Sequence, residues 1–244
     1  MADPSTALMT VSQVTENIYL SGIFPLDNDQ DVIDRLGIQH IICCVGRNEA
    51  GNVHDNIINN NPVVTILYLP YNDDLKQNLW VTNRNNIKFV KYSSTVDEYN
   101  DILSQVNLYK NKPMIEIGYH YIETAMNNKQ KILIHCMAGI SRSVSVLTYY
   151  LMKKYNIDCE TAIARIRSKR PIANPNQSFK TQLEMYQTKR DQFKETDADN
   201  VIQKKGPVAN ITDMISAMKN TGLPKNLYQK VDTNKFDFDR LFKK

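Results

Sequence analysis

A chain of 244 residues, 42% of them hydrophobic, is long enough for one domain with a substantial core plus an appendage. A formal net charge of +4 and a pI near 8.7 suit a phosphorylated ligand without demanding nucleic acid. No apolar run reaches membrane-spanning length, and the opening MADPSTALMT lacks the basic stretch and apolar block of a signal peptide.

In chain order, residues 1–10 read as a loose arm. Val11 to Tyr19, followed by Leu20-Ser21-Gly22, reads as a strand and a turn. Asp29 to Leu36 predicts a short helix that Gly37 ends. Ile38 to Val45 is apolar without alternation, as expected of a strand buried on both faces. Residues 46–61, polar and rich in Asn, read as a loop. Val63 to Leu69 predicts a third strand, running into Pro70-Tyr71-Asn72-Asp73-Asp74. Residues 78–112 set Trp80, Phe89, Tyr92, Tyr99 and Tyr109 among polar neighbours, with Val96, Tyr99, Leu103 and Val106 at helical spacing. Met114 to Met126 predicts an amphipathic helix with Ile115, Tyr119, Ile122 and Met126 on one face.

Lys131 to Leu151, KILIHCMAGISRSVSVLTYYL, reads as strand, tight loop, helix. Asp158 to Arg167 and a last segment ending near Phe193 predict two further helices. From Lys194 onward the chain reads as a linker and tail, 194–244. It holds a short helix capped by Asn210, with Ile211, Met214, Ile215 and Met218 as its stripe, and an aromatic end, KFDFDRLFKK. No internal repeat is present. The four cysteines, Cys43, Cys44, Cys136 and Cys159, form no Cys-x-x-Cys and no metal-like spacing with the four histidines. No metal or cofactor is expected, and oligomeric state is not legible.

The chemistry concentrates in His135 to Ser143. A loop that leaves a buried strand and enters a helix gathers backbone N–H groups and the positive end of the helix dipole at one spot, which makes an anion site. Cys136 stands in that spot, and such surroundings favour the nucleophilic thiolate. Arg142 can hold two phosphoryl oxygens through its planar fork. Gly139 permits the turn, Ser143 can donate to the sulfur, and His135 suits a hydrogen bond to nearby backbone rather than the role of a base. Met137, Ala138, Ile140 and Ser141, the other loop positions, carry no charge.

HCMAGISRS resembles the Cys-x5-Arg-Ser/Thr signature of the cysteine-dependent protein phosphatases, nearest the dual-specificity branch that includes the MAP-kinase phosphatases. VTENIYLSG is similar to the opening of that branch, and Arg170-Pro171 through Pro175-Asn176, Phe179 and Gln182-Leu183 is similar to its closing motif. The resemblance covers about residues 11–190 without the insertion, and it implies a catalytic domain over 11–193. It implies an α/β fold, with a central mostly parallel sheet flanked by helices as in the protein-tyrosine phosphatases. It implies residues 137–142 as the phosphate-binding loop and an insertion at about 78–112. Aligning Leu69 to Asp73 on the family pattern picks Asp73 as general acid, with Asp74 the neighbouring candidate. Asn176 is a candidate brace for the loop.

The implied reaction removes phosphate from phosphotyrosine and phosphoserine/threonine in proteins through a phosphocysteine. The absence of Lys from the loop ranks a phosphoinositide lower, and an RNA 5′-phosphate also ranks below a phosphoprotein. A pseudophosphatase that only binds is disfavoured because Cys136, Arg142 and the acid are all present. A catalytic thiol implies a reducing, intracellular compartment. Cys43 or Cys44 is a candidate disulfide partner of Cys136, with simple core cysteines as the alternative.

Overall fold

Short apolar runs that do not alternate must be covered on both faces, and they meet this need by pairing in one sheet. The computed structural model describes residues 4–29, 31–50, 52–82, 88–91 and 112–203. Its strands are β1 (Ser12–Gln13), β2 (Ile18–Ser21), β3 (His40–Cys43), β4 (Thr65–Tyr68), β5 (Lys88–Lys91) and β6 (Ile132–His135). They lie in the order β1-β2-β6-β3-β4-β5. The inner four are parallel, and β1 and β5 close the two edges antiparallel. The register aligns Ser21, His135, Cys43 and Tyr68 as one row at the carboxyl ends of the parallel strands. Ligand sites of such sheets sit beyond that row.

The helices are α1 (Pro4–Leu8), α2 (Phe24–Asn28), α3 (Val32–Leu36), α4 (Arg47–Ala50), α5 (Asn52–Asn60), α6 (Met114–Asn127), α7 (Arg142–Tyr155), α8 (Cys159–Lys169) and α9 (Gln177–Gln203). Every residue of α7 from Arg142 to Met152 is buried. A helix covered all round is a core element rather than a surface one. α6 fastens to it through two repeats of the same device. Glu116 accepts from Tyr149 and Lys153, and one stretch further on Glu123 accepts from Tyr150 and Lys154. The chain divides into two units, residues 1–187 and 188–244. The second is described as far as Gln203, all of it helical.

Several elements differ from the sequence expectations. The arm at residues 1–10 contains α1; Ala7 is buried, and the Thr10 carbonyl accepts from Arg170. Val11 to Tyr19 is not one strand but a hairpin, β1 and β2. Thr15 Oγ1 accepts from Ile18 N at its turn. The helix expected over Asp29–Leu36 starts at Val32 and is preceded by α2. Residues 46–61 are not a loop: α4 and α5 lie there, and α5 buries His54, Ile57 and Ile58. The 78–112 segment supplies edge strand β5, and Leu79 is buried. Its stripe from Val96 to Val106 lies outside the described residues. The linker expected from Lys194 is helical to Gln203, while the 210–218 stripe and KFDFDRLFKK lie outside the described residues.

The loop between β6 and α7 is fixed from outside. The Met137 carbonyl accepts from Ile23 N at 2.9 Å, and the Ile140 carbonyl from Asn174 N at 2.7 Å. Between them the fully buried Arg170 spans two more, with Nε on Gly139 O at 2.7 Å and Nη2 on Ala138 O at 2.9 Å. Its remaining nitrogen, Nη1, reaches Thr10 O and Ser12 Oγ, both at 3.2 Å. Burial pulls the Arg170 pKa down to about 10, so it stays charged at neutral pH. Gly139 has φ +67, and a Cβ there would stand 2.4 Å from the Ser21 backbone. A Cβ on Gly22 would stand 2.8 Å from Met137 O. The Ser21-Gly22 turn is therefore the wall against which the loop is pressed.

Arg170→Lys keeps the charge but replaces a planar fork with one ammonium group, which cannot serve all four acceptors. We expect it to lower unfolding free energy by about 1–3 kcal/mol in urea titration. Amide exchange at residues 138–141 should rise in the same variant.

Candidate active site

Carbonyl and amide of one peptide unit point in opposite directions. Four successive carbonyls, Met137 to Ile140, are drawn outward into the shell, so the amides of residues 138–141 face the other way. One of them shows where they aim: Gly139 N donates to Cys136 Sγ at 3.2 Å. Ser143 Oγ, on the first turn of α7, donates to the same sulfur at 3.3 Å. Cys136 is 1% exposed and sits at the bottom of this amide nest, beside the N-terminus of a long buried helix. The arrangement is an anion cradle with a sulfur at its base.

Arg142 opens α7 and is itself buried. Its Nη1 donates to Tyr71 O at 3.2 Å and lies 3.7 Å from Glu49 Oε2. Its Nε is buried, makes no hydrogen bond among the described residues, and faces Asp73 Oδ2 at 3.6 Å. A guanidinium donor left over at the rim of an amide nest is suited to an oxyanion.

The structure separates the two neighbouring carboxylates. Asp73 Oδ1 accepts from Ser141 Oγ at 2.7 Å and from Asn176 Nδ2 at 2.8 Å, which draws Asp73 to the edge of the cradle. Asp74 instead accepts from Lys76 N and Gln77 N, at 2.7 and 2.9 Å, and shapes a turn. Asn176 does three things at once. Its backbone N donates to Ser141 Oγ, its Nδ2 to Asp73, and its Oδ1 accepts from Phe179 N at the start of α9. Gln182 on α9 holds the far side of the loop that carries Asp73, donating to Gln77 O and accepting from Leu79 N. The Tyr71 hydroxyl also reaches Leu79 O.

His135 is fully buried, and burial pushes its pKa down to about 4. Its Nδ1 faces the Cys136 carbonyl at 3.3 Å. The four cysteines are free. Cys44 lies beside β6, donating from its N to His135 O. Burial pushes the Cys43 thiol up to about 12 and the Cys44 thiol well above its ordinary range.

All the residues singled out from sequence, Cys136 to Ser143 with His135, Asp73 and Asn176, thus come together at one place. Four contributors were not singled out as site residues. Arg170 belonged to a recognised motif, but its reach to the loop was not readable. Gly22 is explained only by the loop that presses on it. Glu49 and His54 lie on helices where a loop was expected. Among the described residues, one trio of ligand-type side chains also gathers: Cys43, His54 and His135, all buried, with ligand atoms within 4.8 Å of one another.

Residues 27–189 match the family described as dual specificity phosphatase, catalytic domain. Protein R622 of Acanthamoeba polyphaga mimivirus, whose name sets it among the tyrosine-protein phosphatases, is 54% identical over 194 residues, 80% of this chain and 92% of that protein. A protein phosphatase Slingshot homolog of Xenopus laevis is 42% identical over 67 residues, 28% of this chain and 10% of that one. Two human structures share the fold at 21% identity, each with a TM-score of 0.51. DUSP28 covers 78% of this chain and 97% of its own. The tyrosine phosphatase-like serine/threonine/tyrosine-interacting protein covers 73% and 95%. The chain belongs to the dual-specificity phosphatase family and is a cysteine-dependent protein phosphatase.

Proposed function

We propose that the chain removes phosphate from phosphotyrosine and phosphoserine/threonine in proteins, with Cys136 as nucleophile, Arg142 as phosphoryl clamp and Asp73 as general acid. The observation that carries this reading is the convergence on one cradle of a sulfur with two donors, four inward amides, a buried guanidinium donor and a carboxyl group. The Cys136 sulfur attacks phosphorus, and its bond to the ester oxygen breaks. Amides 138–141 and Arg142 hold the non-bridging oxygens, whose charge is stabilised best by donors already in place. Asp73, in its protonated form, gives its proton to the departing oxygen. Water then attacks the phosphocysteine as Asp73 takes a proton from it, and Ser143 Oγ–H receives the sulfur as it leaves.

Two details support the substrate class. The loop side chains Met137, Ala138, Ile140 and Ser141 are uncharged, so recognition falls on the phosphoryl group rather than on further anionic groups of an inositol lipid. Asp73 is held at the edge of the cradle by Ser141 and Asn176, where a carboxyl group can protonate a departing aryl or alkyl oxygen. An unprotected nucleophilic thiol supports work in a reducing, intracellular compartment.

Wild type is expected to hydrolyse an aryl phosphate in the presence of EDTA, and Cys136→Ser to show no turnover. Activity that persists in the Ser variant, or that EDTA removes from wild type, contradicts the thiolate route. A panel of phosphopeptides, an inositol phospholipid and a 5′-phosphorylated RNA then reads the substrate class, with turnover expected on both kinds of phosphopeptide. Asp73→Asn should lower kcat on a phosphotyrosine peptide by about 100-fold. It should cost much less on an aryl phosphate whose leaving group needs no proton. Asp74→Asn should stay near wild type; the reverse ranking assigns the acid to Asp74.

A further inference from the structure

Beyond the cradle, one buried polar chain is not used by the steps above. His54 on α5 is 1% exposed. Its Nε2 lies 2.9 Å from His135 Nε2, and its Nδ1 lies 2.6 Å from the Tyr68 hydroxyl. The sheet register explains the meeting. Tyr68, Cys43 and His135 are partners in one row, so their side chains leave the same face of the sheet. α5 lays His54 into that face, with its ring edge-on to His135 at a centroid distance of 4.9 Å.

The proton positions follow from what each atom can do. The Cys136 carbonyl only accepts, so His135 Nδ1 carries the hydrogen it faces. His135 is neutral because burial pushes its pKa to about 4, which leaves Nε2 bare. His54 Nε2 must then be the donor across the 2.9 Å contact. His54 Nδ1 meets the Tyr68 hydroxyl at 2.6 Å on its other side. The chain links Tyr68, His54, His135 and the carbonyl of Cys136, with His54 donating to His135 and His135 to the carbonyl.

We propose that His54 is a positioning residue of the phosphatase reaction, fixing the tautomer and ring setting of His135 and thereby the peptide that carries the Cys136 nucleophile. The role rests on the function proposed above. The same cluster has a competing reading as a cation site, since Cys43 Sγ lies within 4.8 Å of both imidazoles. The geometry favours the hydrogen-bonded chain. Two nitrogens on a tetrahedral zinc stand about 3.3 Å apart, wider than the 2.9 Å observed. Cys43 also gives its thiol hydrogen to Val45 O.

The test compares wild type, His54→Leu and His54→Gln. Leu removes the donor at similar bulk, and the Gln amide nitrogen replaces Nε2–H. On an aryl phosphate, His54→Leu should lower kcat about tenfold with KM little changed, and His54→Gln should recover most of it. Nitrogen-15 imidazole spectra of wild type should show His135 protonated at Nδ1 and His54 at Nε2. The proposal is overturned by a wild-type kcat in His54→Leu, by Gln no better than Leu, by His135 protonated at Nε2, or by stoichiometric zinc in the purified protein. Absence of turnover in wild type removes the phosphatase reading and this role with it. The spectra need no turnover, so the two failures remain distinguishable.

Discussion

Four consecutive backbone carbonyls, Met137 to Ile140, are held outward by donors from two distant parts of the chain, residue 23 and the segment 170–174, and the site depends on this. A peptide loop has no reason of its own to point every amide one way. Here Ile23 N, the Arg170 fork and Asn174 N each take carbonyls on the outside, and peptide planarity turns the amides inward. Each such bond adds only about 1 kcal/mol net, but a buried carbonyl left without a donor costs about 1–3 kcal/mol. The loop therefore has one inexpensive arrangement, and the rest of the fold supplies it. An oxyanion site built in this way needs little rearrangement when charge develops.

The Asp73 side is tied to the same frame. Ser141 belongs to the cradle, and its hydroxyl donates to Asp73 while accepting from Asn176 N. Asn176 in turn starts α9, whose Gln182 holds the other end of the loop that carries Asp73. Cys136, Arg142 and Asp73 are thus each held by hydrogen bonds of the same neighbourhood. The buried chain through His54 extends this support behind the nucleophile.

What was legible in the sequence is what is local. Ile132 to Arg142 is a strand, loop and helix in eleven residues, and its motif exposes nucleophile and clamp together. Asp73 was narrowed to a pair by position, but only the Ser141 and Asn176 contacts separate it from Asp74. Residues 46–61 misled because Asn and Asp outnumber apolar residues there, and polar composition was read as loop. The thin buried face of His54, Ile57 and Ile58 is what docks α5. With that helix unseen, the contact between His54 and His135, 81 positions apart, could not be inferred. The Arg170 clamp was hidden for a related reason. Its motif was recognised, but its partners lie about thirty and a hundred and sixty positions away.

The central claim is that phosphate passes through the Cys136 sulfur. The most direct measurement is to mix the enzyme with an aryl phosphate, quench with acid within one turnover, digest, and weigh the peptides. The account predicts a phosphoryl increment on the peptide carrying Cys136, labile to hydrolysis, and absent in Cys136→Ala. Turnover with no such adduct under conditions that slow the second step, or an adduct on another residue, contradicts it.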